Sequence, residues 1–138
     1  MACGRIWDPF AVAGQGEIIE IDLTDIERRV LSCGLAEWGG PAHCTDAMAA
    51  AMGFSNVPGL LAEGRQIITD LDSGRSLTCQ DWTRALLATE IVFISDMLGS
   101  GAEWPTTTGL DDASTLKALR SIQRKLAAVI VRSGTRTE

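Results

Sequence analysis

The stretch EWGGPAHCTDAM, residues 37–48, sets the single histidine of the chain, His43, beside Cys44 and just ahead of Thr45, a residue suited to starting a helix. Such a neighbourhood could do nucleophilic chemistry. A cysteine nucleophile needs its thiolate favoured by a helix N-terminus or by a positioned base, and the dipole of a helix that begins after Thr45 acts in that direction. Adjacent residues rarely point at each other, however, and a working Cys–His pair normally draws its members from separate elements. The pattern therefore predicts a turn leading into a helix, with Cys44 half-buried and His43 exposed. His43 and Cys44 are retained as catalytic candidates behind that reading.

Glu90 is the third candidate. Between residues 79 and 98 the apolar residues Trp82, Leu86, Leu87, Ile91, Phe93, Ile94, Met97 and Leu98 cover well over half of a helix circumference at ~100° per residue. A helix of that kind is expected to be central and largely buried. Arg84, Thr89, Ser95 and Asp96 fall on its remaining face, whereas Thr83 and Glu90 project into the apolar arc. A carboxylate there is neutral, paired with an arginine, or at the floor of a wet pocket. Arg28, Arg65 and Arg120 are the partners considered. With a pocket, Glu90 would serve as a general base.

The stretch GSGAEWPTTTGLDD, residues 99–112, is a long linker for so small a chain and carries Trp104. Trp104 either folds back to plug the core or stands out as an aromatic anchor at an interface. The Gly-Ser-Gly within it lacks the strand and lysine of a phosphate loop. Cys33, His43, Cys44 and Cys79 match no usual zinc spacing, so no metal site is expected. With no C-x-x-C pair, the cysteines read as reduced thiols. No cofactor is predicted. The segment TDAMAAAMGFSNVPGLLAEGRQI resembles a helix-turn-helix only in outline. Its second helix carries Glu63, Asp70 and Asp72 against the single interior cation Arg65, which makes a poor reader of phosphate-rich nucleic acid.

Several short elements must position these residues. Residues 1–16 are weakly patterned, and residues 17–138 read as a single helical domain. Residues 17–23 (EIIEIDL) read as a strand, with residues 5–12 as a possible hairpin partner at an edge, because of Pro9. Thr24 with Glu27 forms a capping box for a first helix, which Gly39-Gly40-Pro41 stops. Thr45 caps a short second helix over residues 46–52. Val57, Leu60, Leu61, Ile67, Ile68 and Leu71 make one face of a third, with Pro58 in its first turn. Thr78 with Asp81 caps the fourth, which runs to about Leu98. Asp111 or Asp112 caps the last, striped by Leu116, Leu119, Ile122, Leu126 and Ile130. The predicted fold is mainly α, a compact array of about five helices with a short N-terminal strand or hairpin.

The net charge of −6 conceals two regions. Residues 1–112 hold 6 Lys/Arg against 17 Asp/Glu, and residues 113–138 hold 6 basic residues against Glu138 alone. The basic helix, with Arg120 and Arg124, either packs across the acidic body or offers a partner surface. At 138 residues with 46% hydrophobic content the chain can bury a core without staples. No apolar run reaches the ~18–20 residues of a membrane span, and no secretory leader is read, so the expected location is cytoplasmic. Ten arginines against two lysines suggest a GC-rich bacterial source.

In size, acidity and helical character the chain is similar to bacterial toxin-neutralising (immunity) proteins. That resemblance rests on general character and on no motif. The expectation is a non-enzymatic binding protein that docks a cationic protein partner or associates with itself, with Trp104, Glu90, Thr83, Arg120 and Arg124 as binding candidates. Nucleic acid and membrane are not expected partners. The alternative is a small enzyme or ligand-binding protein with a pocket at Glu90, assisted by Cys44 and His43.

Overall fold

The computed structural model describes residues 16–40 and 42–136, with side chains as far as residue 130. In chain order the elements are β1 (Ile18–Ile19), α1 (Asp25–Glu37), α2 (Asp46–Ala51), α3 (Val57–Asp72), β2 (Leu77–Thr78), α4 (Cys79–Ile94), α5 (Trp104–Thr108) and α6 (Asp112–Arg136). A 3-10 turn at Gly101–Glu103 precedes α5. The fold is mainly α, as the sequence pattern predicts. The sixth helix arises because the 99–112 linker folds a short helix of its own.

The helix starts follow their side-chain caps. Thr24 Oγ1 accepts from the Glu27 N–H at 3.3 Å while Glu27 Oε1 accepts from the Thr24 N–H at 2.9 Å, the reciprocal capping box. Thr45, Asn56 and Thr78 likewise accept from Met48, Gly59 and Asp81. Each such cap contributes on the order of 1 kcal/mol. Glu27 also receives the Lys125 ammonium at 2.7 Å, so one carboxylate both starts α1 and ties α6 to it.

β1 pairs antiparallel with β2, Ile18 opposite Thr78 and Ile19 opposite Leu77. The partner strand is thus the two residues that immediately precede α4. The strand expected at residues 5–12 lies outside the described residues. The Trp82 indole donates to the Ile19 carbonyl at 2.8 Å and fixes this small sheet onto α4.

The core forms where α1 packs against α3 and α4, with α6 lying across α1 and α4. Val30, Leu31, Trp82, Trp104 and Ile122 are all completely buried there. The closest approach is between α1 and α4. A Cβ built on Gly34 would stand 2.1 Å from Thr89 Oγ1, so only glycine fits at that crossing. Thr89 is completely buried and returns its hydroxyl proton to the Ala85 carbonyl at 2.8 Å. Thr89 and Arg84 are both buried, although the large apolar residues left them on the remaining face of α4. Small residues (Ala85, Ala88, Thr89) face α1, because two backbones can approach closely only over small side chains.

Helix α4 ends at Ile94, four residues before the expected limit at Leu98. The chain doubles back there: the Leu98 N–H donates to Ser95 Oγ and the Ser100 N–H donates to the Val92 carbonyl. Gly99 makes that return possible, since a Cβ on it would meet the Val92 backbone at 2.5 Å. The early end leaves Ile94 and Met97 outside the core, 70% and 86% exposed. Leu116, expected in the buried stripe of α6, is 47% exposed.

Candidate functional site

Glu90 sits half-buried on the flank of α4 that faces α6. Its partner is an amide: Gln123 Nε2 donates to Glu90 Oε2 at 2.6 Å. Arg120 lies behind that contact and donates to Gln123 Oε1 at 3.2 Å. Burial pushes the Glu90 carboxyl up from its ordinary value, and the Gln123 hydrogen bond and the Arg120 charge draw it partly back. Of the three arginines considered as partners, Arg120 reaches Glu90 only through Gln123. Arg28 donates instead to the Leu71 and Arg75 carbonyls, and Arg65 is exposed on α3. Thr83 donates to the Cys79 carbonyl within its own helix at 3.0 Å and takes no part in the Glu90 contact. Arg124 is exposed on α6.

Cys44 and His43 lie in the loop that enters α2. His43 is exposed, and its backbone N–H donates to the Leu98 carbonyl at 2.7 Å. Burial, then the neighbouring Asp46 charge, push the Cys44 thiol up from its ordinary value, with only a backbone contact at Ala49 opposing them. The thiol donates to the Thr45 carbonyl at 3.3 Å. A six-residue helix that starts with Asp46 gives the sulfur little dipole assistance, since that carboxylate meets the helix end first. This arrangement holds a protonated thiol. Cys33 and Cys79 are also free thiols. Among the described residues no group of three or more His, Cys, Asp or Glu side chains is placed to hold a metal ion.

Trp104 is fully buried. Its indole donates to Thr115 Oγ1 at 2.8 Å, and its ring meets Phe93 edge-on at 5.5 Å between centroids. Of the two placements considered for it, the structure has the one inside the core. The loop that carries it is pinned by Glu37, a buried carboxylate at the end of α1 whose Oε1 accepts from both Ser100 Oγ and Thr107 Oγ1. Glu37 carried no sequence signal, because its two hydroxyl partners lie 63 and 70 residues away.

Arg84 is a second polar centre that the pattern of α4 did not disclose. Its side chain is 8% exposed and reaches Glu63 at 2.7 Å and Asp81 at 2.5 Å. The guanidinium lies 4.3 Å over the Phe54 ring and donates to the Gly53 carbonyl, which binds the α2–α3 turn to α4. A shallow cleft of about 290 Å³ opens elsewhere, between α1 and α3, lined by Asp25, Arg28, Arg29, Leu71 and Asp72. Three of its side chains are engaged with the fold: Arg28 donates to the Leu71 carbonyl, Arg29 donates to the Thr108 carbonyl and Asp72 accepts from Ser32 Oγ. The candidates thus occupy separate places and do not converge on one reaction centre.

No protein-family model, curated protein or solved structure matches the chain. Among the described residues no helix is long and apolar enough to cross a membrane.

Proposed function

We propose that the protein is a cytoplasmic, non-enzymatic binding protein whose acidic body docks a cationic protein partner and so neutralises or regulates it. One observation carries the reading. Between residues 16 and 112, eleven of the sixteen acidic side chains are exposed, against three exposed arginines, Arg29, Arg65 and Arg75. A field of that sign attracts basic partners, speeds encounter and repels acidic ones. Affinity capture on the immobilised full chain at low salt, followed by mass spectrometry, tests it. The expected capture is a basic protein released by salt; a capture dominated by acidic proteins that resist salt contradicts it.

The alternative, a small enzyme or ligand-binding protein built around Glu90, is favoured by one observation, the raised Glu90 carboxyl. Against it stand the Gln123 amide that occupies the carboxylate and the separation of Cys44 and His43 into another loop. Loss of a discovered activity in Glu90→Gln, with the fold intact, would support this second reading.

A further inference from the structure

Among the described residues five large apolar side chains are exposed, and three of them, Ile94, Met97 and Leu116, fall at the last residue of α4, in the turn after it and in the second turn of α6. Two contacts fix their relation. Glu90 meets Gln123, and Phe93 reaches Thr115 through the Trp104 ring, so α4 and α6 run in opposite directions. Leu116 lies two turns back from Gln123 on the same face of α6, and Ile94 lies one turn on from Glu90, so both approach the point where α4 ends. Met97 follows in the turn that closes α4. Asp96 Oδ1 accepts from the Ala102 N–H, which holds the exposed Asp96 and Glu103 in the turns that follow α4, and the exposed Asp111 and Asp112 open α6. Asp111 is held below the usual carboxylate range by the Ser114 backbone and hydroxyl, so it stays an anion. Arg120 and Lys117 are the exposed cations on the adjoining turns of α6; Arg120 is bound to Gln123, and Lys117 lies about 100° round the helix from Leu116.

An exposed methionine and isoleucine framed by carboxylates form a surface with two complementary demands. Met97 is unbranched and adaptable, suited to receiving varied apolar side chains. The carboxylates select against acidic faces. A second copy docked face to face through this surface would bring the same carboxylates against one another, and an anionic lipid surface would be repelled in the same way. A segment with an apolar face and flanking Lys or Arg side chains satisfies both demands.

We propose that Ile94, Met97 and Leu116, framed by Asp96, Glu103 and Asp112, are the docking surface for a cationic amphipathic helix of the partner. The proposal rests on the acidic-binding reading above and adds the surface and the chemistry of the segment it takes.

The test uses the full chain and two synthetic 18-residue peptides of identical Leu/Lys composition, one amphipathic as a helix and one scrambled to have no apolar face. Binding is followed by calorimetry at low and moderate salt. The expected result is a 1:1 complex with the amphipathic peptide that is weakened about tenfold or more by Ile94→Ser with Met97→Ser. Glu103→Gln with Asp112→Asn should weaken it about threefold to tenfold at low salt and less at high salt. Ile26→Ser, at an exposed apolar residue of α1, should leave it unchanged. Equal binding of both peptides, untouched by Ile94→Ser with Met97→Ser, removes this surface while leaving the acidic-binding reading in place. Equal loss from Ile26→Ser also removes it. Absence of binding by either peptide at low salt overturns both. Sedimentation that shows a dimer dissolved by Ile94→Ser with Met97→Ser assigns the surface to a second copy and overturns the proposal.

Discussion

Replacing Glu90 by glutamine separates an ion-paired carboxylate from one held by an amide. In the structure Gln123 donates to Glu90 at 2.6 Å and no arginine touches it directly. The glutamine carbonyl can accept the same bond. A hydrogen bond to a charged acceptor contributes about 1.5–3 kcal/mol and a neutral one about 0.5–1.5 kcal/mol, so the exchange forfeits about 1 kcal/mol. Removing a partly desolvated charge offsets a similar amount. Stability at pH 7 should therefore change by less than about 1 kcal/mol, whereas breaking a buried ion pair costs about 3–5 kcal/mol. The pH dependence has a definite sign. With the folded carboxyl raised by burial, the stability that Glu90 contributes is fully present below its unfolded pKa and is lost as pH rises through the folded value. Glu90→Gln should accordingly gain on the wild type between about pH 4 and pH 7. Gln123→Leu should do the reverse, costing about 1–3 kcal/mol at pH 7 and less near pH 4. Urea denaturation across pH measures all three proteins. A loss of 3 kcal/mol or more in Glu90→Gln at pH 7, or no pH dependence in its difference from the wild type, would refute the amide-held carboxylate.

Three further outcomes follow from the fold. Gly34→Ala should destabilise by about 1–3 kcal/mol despite a better helix propensity, because its Cβ overlaps Thr89, and adding Thr89→Gly should recover part of the loss; a neutral Gly34→Ala in thermal denaturation contradicts the close crossing. Lys125→Met should cost about 1–3 kcal/mol at neutral pH. Burial raises Glu27, but the Lys125, Ser121 and Thr24 hydrogen bonds outweigh it and leave the carboxyl lowered, so the cost should shrink as pH falls through the folded Glu27 value; a pH-independent cost shows that the pair is not the cause. Cys44 should alkylate more slowly at neutral pH than free cysteine, and Cys44→Ser should stay within about 1 kcal/mol of the wild type, while rapid selective labelling would identify an activated thiol.

The caps made most of the helix framework legible. Thr24 with Glu27, Thr45 and Thr78 each start a helix where the local pattern places one, because capping is a contact between residues three apart. What depends on distant partners was not legible. β2 is two residues long and pairs with a strand about 60 residues away, so it left no periodic signal. On α4 the large apolar residues Trp82 and Phe93 are buried as the pattern expects, but the closest crossing is made by Thr89 against Gly34, and Thr89 was left on the remaining face because such small residues score weakly in any hydrophobic pattern. The same misreading hid Arg84, whose partners Glu63 and Phe54 come from other elements. Trp104 illustrates the limit at the site itself. Its linker position allowed either an exposed anchor or a core plug, and only its contacts with Phe93 and Thr115 distinguish them.

The central claim is that the acidic surface does the recognising, and the association rate of the captured partner as a function of ionic strength tests it most directly. Stopped-flow mixing from about 0.02 M to about 0.5 M salt spans Debye lengths from about 20 Å to about 4 Å. Electrostatic steering predicts an on-rate that falls by about tenfold or more over that range, with a shallower fall when Glu103→Gln and Asp112→Asn are combined. An on-rate that stays flat across the range, for the wild type and the charge variant alike, would contradict the account.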